Sequence, residues 1–170
     1  MSTDLKKKVC LIGAFAVGKT SLVRQYVDSL FSEKYLTTVG VKIDKKQLVV
    51  QGRTMDVIIW DLHGEDDFQS IRMSYLRGAS GCIYVADGTR RMTLETALAL
   101  RQRVEAAIGR VPAILALNKC DLEELWEIDP QIIPEPGTTD FAIMRTSAKT
   151  GQSVEAAFIA LATMMLEVGP

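Results

Sequence analysis

The eight residues Gly13-Ala14-Phe15-Ala16-Val17-Gly18-Lys19-Thr20 constrain this chain more than any other stretch. They match G-x-x-x-x-G-K-[ST], a loop whose backbone N–H groups cradle phosphate. An apolar run, Val9 to Ile12, precedes them, and behind them Leu22, Val23, Tyr26 and Val27 recur at helical spacing. The motif therefore lies between a buried strand and a helix N-terminus, where its mechanism needs it. Gly13 and Gly18 can take backbone angles that side chains forbid, so the loop can wrap an anion. The helix start adds unpaired N–H groups and the positive end of a dipole. Lys19 is the point charge for the β- and γ-phosphates, and the Thr20 hydroxyl is placed to ligate Mg2+. The bland alternative, a Gly-containing turn with a solvated lysine, does not account for the full pattern in this strand–loop–helix context.

Taken in order, the pattern gives a strand over 7–13 and a helix from the loop to Ser29, then a long polar loop over 30–40. Val41 to Val50 and Met55 to Asp61 read as two strands, paired as a hairpin through the turn signal Gln51-Gly52-Arg53. Leu62 to Asp67 is a polar loop with a helix following to Arg77. Cys82 to Asp87, Pro112 to Leu117 and Phe141 to Met144 are short apolar strands. Thr93 to Ile108 is an amphipathic helix with Arg101 and Glu105 on its wet face. Pro130, Pro134, Pro136 and Gly137 allow only a short or broken helix in their region. Ser153 is a candidate N-cap for a closing helix to Glu167. Strands alternating with helices predict an α/β fold: a P-loop NTPase three-layer sandwich, with a six-stranded, mainly parallel sheet, one antiparallel strand pair and helices on both faces.

At 170 residues the chain suits one domain, spanning residues 1–170. A net charge of −1 gives no sign of nucleic acid as a partner. No stretch is long and apolar enough for a membrane span, and no signal-peptide pattern opens the chain. Lys6-Lys7-Lys8 reads as a solvated strand entrance. Cys10, Cys82 and Cys120 lack metal spacing and read as buried thiols of a reducing, cytoplasmic compartment. The last residues contain no cysteine for a C-a-a-X prenylation box, so the chain carries no intrinsic membrane anchor of that kind. Peripheral membrane association would need a partner or a further segment.

A phosphate loop alone does not choose between ATP and GTP. Asn118-Lys119-Cys120-Asp121 follows a buried strand and fits N-K-x-D, in which the aspartate takes two N–H groups of guanine. Adenine lacks that donor pair and would leave the carboxylate unpaired, at a cost of about 1–3 kcal/mol or more. Asn118 and Lys119 would brace the phosphate loop and cover the base. Thr146-Ser147-Ala148-Lys149 follows the last strand, where a backbone N–H could meet the guanine O6. Each segment stands at a strand's carboxyl end, where α/β sheets bind ligands. A P-loop kinase would need an acceptor lid and would not account for Asn118 to Asp121.

With these motifs in this order, the chain resembles the Ras superfamily of small GTPases over nearly its whole length, most closely the Rab/Ras branch. The resemblance implies a Mg2+-dependent switch that binds GTP and GDP and hydrolyses GTP. Thr37-Thr38-Val39-Gly40-Val41 is similar to the Rab-type switch I, which makes Thr38 the Mg2+ ligand and γ-phosphate sensor, with Thr37 the second candidate. Trp60-Asp61-Leu62-His63-Gly64-Glu65 stands where the family has W-D-T-A-G-Q. That implies a water-mediated Mg2+ contact for Asp61 and a γ-phosphate N–H from Gly64. Tyr75-Leu76-Arg77-Gly78-Ala79 is similar to the segment closing switch II. The nucleotide set implied is Gly13, Ala14, Phe15, Ala16, Val17, Gly18, Lys19, Thr20, Ser21, Asn118, Lys119, Asp121, Ser147, Ala148 and Lys149. The metal set is Thr20, Thr38 and Asp61, and the catalytic set Lys19, Thr38, Gly64 and Glu65. Effectors, exchange factors and activating proteins would meet residues 31–45 and 62–77, where Phe31, Tyr35, Trp60, Phe68 and Tyr75 gather either as a docking surface or as packing.

Two positions depart from the family pattern. Its water-orienting glutamine falls on Glu65, which adds negative charge where the transition state already accumulates it. Phe15 replaces a small loop residue and crowds the region where an arginine finger would enter, a group worth about 10³–10⁵ in rate. Together they imply slow hydrolysis and long-lived nucleotide states, or at the limit a non-hydrolysing, nucleotide-stabilised binding module. The lone histidine, His63, is either a group beside the γ-phosphate or a plain loop residue.

Overall fold

The computed structural model describes residues 5–29, 41–62, 73–129 and 140–168. Its strands are β1 (Leu5–Gly13), β2 (Val41–Val50), β3 (Arg53–Leu62), β4 (Gly81–Asp87), β5 (Ala113–Asn118) and β6 (Phe141–Arg145). Its helices are α1 (Lys19–Asp28), α2 (Arg91–Ile108) and α3 (Val154–Val168). They form one six-stranded sheet in the order β2-β3-β1-β4-β5-β6. Among the described residues only the β2–β3 pair is antiparallel, as the hairpin reading requires. Gln51 and Gly52 turn that hairpin with φ of 52° and 75°, the left-handed pair that matches strand twist.

The two-residue strand period divides the core. Val9 and Leu11 of β1, Ile83 and Val85 of β4, and Ile114 and Ala116 of β5 pack with α1 and α3. Cys10, Ile12, Cys82, Tyr84, Ala113 and Leu115 face the other way, onto Leu94, Ala97, Leu100 and Val104 of α2. Both faces of β4 and β5 are buried, so these strands read as continuous apolar runs. Edge strand β2 alternates instead and carries exposed Lys42 and Lys45. Tyr26 of α1 stacks on Phe158 of α3 at 3.9 Å between ring centroids, which ties the two helices of one layer together.

Some elements differ from the sequence reading. Arg101 is not on a wet face: it is only 7% exposed, and its guanidinium lies 3.8 Å over the Phe141 ring while Nε donates to Glu105 Oε1 at 2.9 Å. Arginine's planar head and apolar stem make such a burial tolerable. Lys8 likewise leaves the solvated entrance and lies 3.6 Å over the Trp60 ring. Ser153 precedes α3 and its carbonyl accepts from Ala157 N, but its φ of 59° is left-handed rather than extended. Before the chain re-enters the sheet at β4, the described residues hold a single 3-10 turn, Met73–Leu76; after β5 they hold another, Glu123–Leu125. The polar loop at 30–40 and the proline-rich stretch from 130 to 137 lie outside the described residues.

Because β1, β3, β4, β5 and β6 run parallel, their carboxyl ends share one rim of the sheet. Gly13, Asp61, Asp87 and Asn118 therefore stand together there. The chain's progression reverses at β1, whose neighbours are β3 and β4, and this reversal opens the crevice in which α/β sheets take ligands.

Candidate functional site

The phosphate loop leaves β1 at Gly13, where a Cβ would stand 2.4 Å from the carbonyl oxygen of Val85, so only glycine fits. Ala16 and Gly18 take φ of 62° and 100°, left-handed residues within a short loop. Such alternation of hand turns successive N–H groups toward one concavity. Gly18 starts α1: its carbonyl accepts from Leu22 N at 2.9 Å, and no side chain caps the helix. A helix start whose N-cap is a glycine, with no side chain to cap it, suits an anion. Lys19 is 6% exposed, with Nζ 3.3 Å from the Gly13 carbonyl and 3.2 Å from that of Ala14. Its charge is held against the loop rather than in bulk water. Ser21 and Phe15 are half-buried.

Thr20 Oγ1 donates to Asp61 Oδ2 at 2.6 Å, joining the start of α1 to the end of β3. Asp61 is fully buried, and its Oδ1 has no hydrogen-bond partner among the described residues. Burial pushes its carboxyl above the ordinary range, and the Thr20 hydrogen bond and the charges of Lys19 and Lys42 offset only part of that. A buried carboxylate oxygen without a donor, beside a hydroxyl, is an oxygen donor set that fits a hard divalent cation such as Mg2+.

The base loop is built from two strand ends. Asn118 Nδ2 donates to the Val17 carbonyl at 3.0 Å, and Lys119 Nζ to that of Ala16 at 3.2 Å. Asn118 Oδ1 accepts from Thr146 Oγ1 at 3.1 Å and from Ala148 N at 3.3 Å, which fixes the loop after β6 to the loop after β5. Ser147 Oγ donates to Asp121 Oδ1 at 2.7 Å and so orients the carboxylate expected to read the base. Lys149 is exposed.

The structure adds residues that the sequence reading passed over. Asp87, 1% exposed at the end of β4, accepts from Thr89 N, Thr89 Oγ1, Arg90 Nε and Lys119 Nζ at 2.6–3.0 Å. Burial works against its charge, but the hydrogen bonds from Lys119 and Thr89 outweigh it and hold the carboxyl below the ordinary range. A carboxylate closing an apolar strand was the signal available in the sequence. Thr146 was named only as loop; its hydroxyl is a strut for Asn118. Thr37, Thr38, His63, Gly64 and Glu65, with Phe31, Tyr35 and Phe68, lie outside the described residues. Trp60 and Tyr75 are described, 6.1 Å apart and tilted by 49°.

The family model of the Ras family matches residues 8–167. The chain is 36% identical over 157 residues to the Ras-related protein RabG2 of Dictyostelium discoideum, covering 91% of this chain and 80% of that protein. It is 34% identical over 158 residues to the Ras-related protein Rab-1A of the same organism, covering 92% and 78%. These likenesses favour a hydrolysing switch over an inert binding module. On this sheet, this rim and these matches, the chain belongs to the Ras family: it is a small GTPase, a Mg2+-dependent molecular switch that binds GTP and GDP and hydrolyses GTP.

Proposed function

We propose that the rim of residues 13–21, 118–121 and 146–149 is the guanine-nucleotide site of a single G domain spanning the chain, and that its hydrolysis is slow. What supports this most is the bracing of the phosphate loop by Asn118 and Lys119, together with the hold of Ser147 on Asp121. Lys19 takes the β- and γ-phosphates, and the N–H groups of Ala14 to Ser21 surround them. Thr20, Thr38 and, through water, Asp61 would hold Mg2+, which when bound would supply positive charge to the phosphate oxygens. Thr38 and the Gly64 N–H sense the γ-phosphate, so its loss releases both segments.

Slow turnover follows from Glu65 and Phe15. A carboxylate in place of an amide leaves the attacking water less well oriented and adds repulsion, while the Phe15 ring narrows entry for a partner's arginine. Effectors, exchange factors and activating proteins meet residues 31–45 and 62–77, the first a range in which Ile43 on edge strand β2 is 51% exposed. The working compartment is the cytoplasm; no helix among the described residues is long and apolar enough to cross a membrane.

Single-turnover hydrolysis of bound GTP tests the slow-switch reading. Glu65→Gln is expected to raise the rate by about a hundredfold, the low end of what a positioned proton acceptor is worth. An unchanged rate in Glu65→Gln removes Glu65 from the mechanism. Absence of turnover in both forms, with tight binding kept, contradicts slow hydrolysis altogether.

A further inference from the structure

Three successive carbonyls of the phosphate loop are each taken by a side chain from outside it. Phe15 O accepts from Arg90 Nη2 at 2.9 Å, Ala16 O from Lys119 Nζ at 3.2 Å, and Val17 O from Asn118 Nδ2 at 3.0 Å. In a trans peptide the N–H points opposite to the preceding carbonyl. Holding these three oxygens from behind therefore turns the N–H groups of Ala16, Val17 and Gly18 to the other side, the concave side of the loop.

Asn118 and Lys119 belong to the base-reading segment, but Arg90 does not. It stands 75 residues from Phe15 in the chain and comes from the loop after β4. Asp87 aims it: one carboxylate oxygen, Oδ2, accepts from Arg90 Nε at 3.0 Å and from Lys119 Nζ at 2.8 Å, while Oδ1 takes both donors of Thr89. The loop carrying Arg90 is itself fixed. Gly88 N donates to Asn118 O at 2.9 Å, Gly88 O accepts from Glu127 N at 2.8 Å, and the Trp126 ring fills the space where a Gly88 Cβ would stand. Arg90 O in turn accepts from Thr93 Oγ1 at 2.7 Å.

We infer that Arg90 and Asp87 are positioning residues for the bound nucleotide's phosphates: Asp87 sets Arg90 and Lys119 on adjacent loop carbonyls, and Arg90 orients the Ala16 N–H toward the phosphate chain. The inference rests on the guanine-nucleotide reading and deepens it, since it makes the loop after β4 a third support of the same site. The role assigned to Arg90 is exercised through the Phe15 peptide.

The test measures release of a fluorescent GDP analogue from the full chain in Mg2+, for the natural protein, Arg90→Ala, Arg90→Lys and Asp87→Asn. Arg90→Ala is expected to release GDP about tenfold faster, the effect of losing one charge-assisted hydrogen bond. Arg90→Lys keeps a donor and the pairing with Asp87, so it should restore most of the retention. Asp87→Asn should release faster than Arg90→Ala, because Lys119 loses its partner too. The 31P resonance of the β-phosphate should move in Arg90→Ala and return in Arg90→Lys, a signature that general loss of stability does not produce. If Arg90→Ala holds GDP as long as the natural protein does, or the β-phosphate resonance stays in place, the positioning role is wrong. A natural protein that retains no GDP at all instead contradicts the guanine-nucleotide reading beneath it.

Discussion

The Thr20 hydroxyl hydrogen-bonds one carboxylate oxygen of Asp61 at 2.6 Å and leaves the other buried with no partner among the described residues. Two segments 41 residues apart thus meet at a buried oxygen site. Replacing Asp61 by Asn should weaken Mg2+ binding about 10–100-fold, the usual cost of losing an outer-shell partner. The metal-free protein should be no less stable for it, because the neutral amide removes a buried charge that its neighbours offset only in part. A Mg2+ titration followed by calorimetry, with a thermal melt in chelator, checks both.

Asp121 is held by Ser147, so the pair can be tested separately. Asp121→Asn should lower GTP affinity by at least about a hundredfold and shift preference toward xanthine nucleotides, since an amide cannot accept both guanine donors. Ser147→Ala leaves the carboxylate in place but unoriented, and should cost about 1 kcal/mol of GTP binding. Competition binding with GTP, XTP and ATP separates the two effects.

Gly88→Ala puts a methyl group inside the Trp126 ring, whose nearest atom would stand 1.9 Å away. Overpacking of this kind costs about 1–3 kcal/mol. Both residues flank the loop that carries Arg90, so faster GDP release should accompany the loss of stability. Denaturant unfolding read by tryptophan fluorescence measures the first, and nucleotide release the second.

Asp87 supplies the pH dependence. Its carboxyl lies below the ordinary range although burial opposes that, because Lys119 and Thr89 hydrogen-bond the charged form. A carboxyl held low in the folded state adds stability above its ordinary value, and that stability is lost as pH falls through the folded value. Asp87→Asn should therefore cost about 2 kcal/mol near neutral pH, and the two proteins' melting temperatures should converge in acid. Melting curves from pH 7 downward would show the gap closing; a gap that stays constant would assign the effect to packing alone.

What could be read from the sequence followed from local pattern. Val9 and Leu11 against Cys10 and Ile12 gave a strand with two buried faces, and contiguous motifs marked both the phosphate loop and the base loop. Contacts that only the fold creates were not legible. Nothing near Arg90 says that it reaches Phe15, and Asp87 looked like the end of a strand until Lys119 arrived beside it. Arg101 was misplaced because helical periodicity assigns a charged residue to solvent, whereas the Phe141 ring from β6 gives its guanidinium a flat apolar seat. The roles proposed for Thr38, Gly64 and Glu65 rest on family resemblance.

Equilibrium binding of GDP, GTP and ATP to the purified chain in Mg2+ tests the central claim most directly. The account predicts one tight site for GDP and GTP, with ATP weaker by about 10²-fold or more, because adenine leaves the Asp121 carboxylate unpaired. No measurable affinity for either guanine nucleotide, or equal competition by ATP, would contradict it.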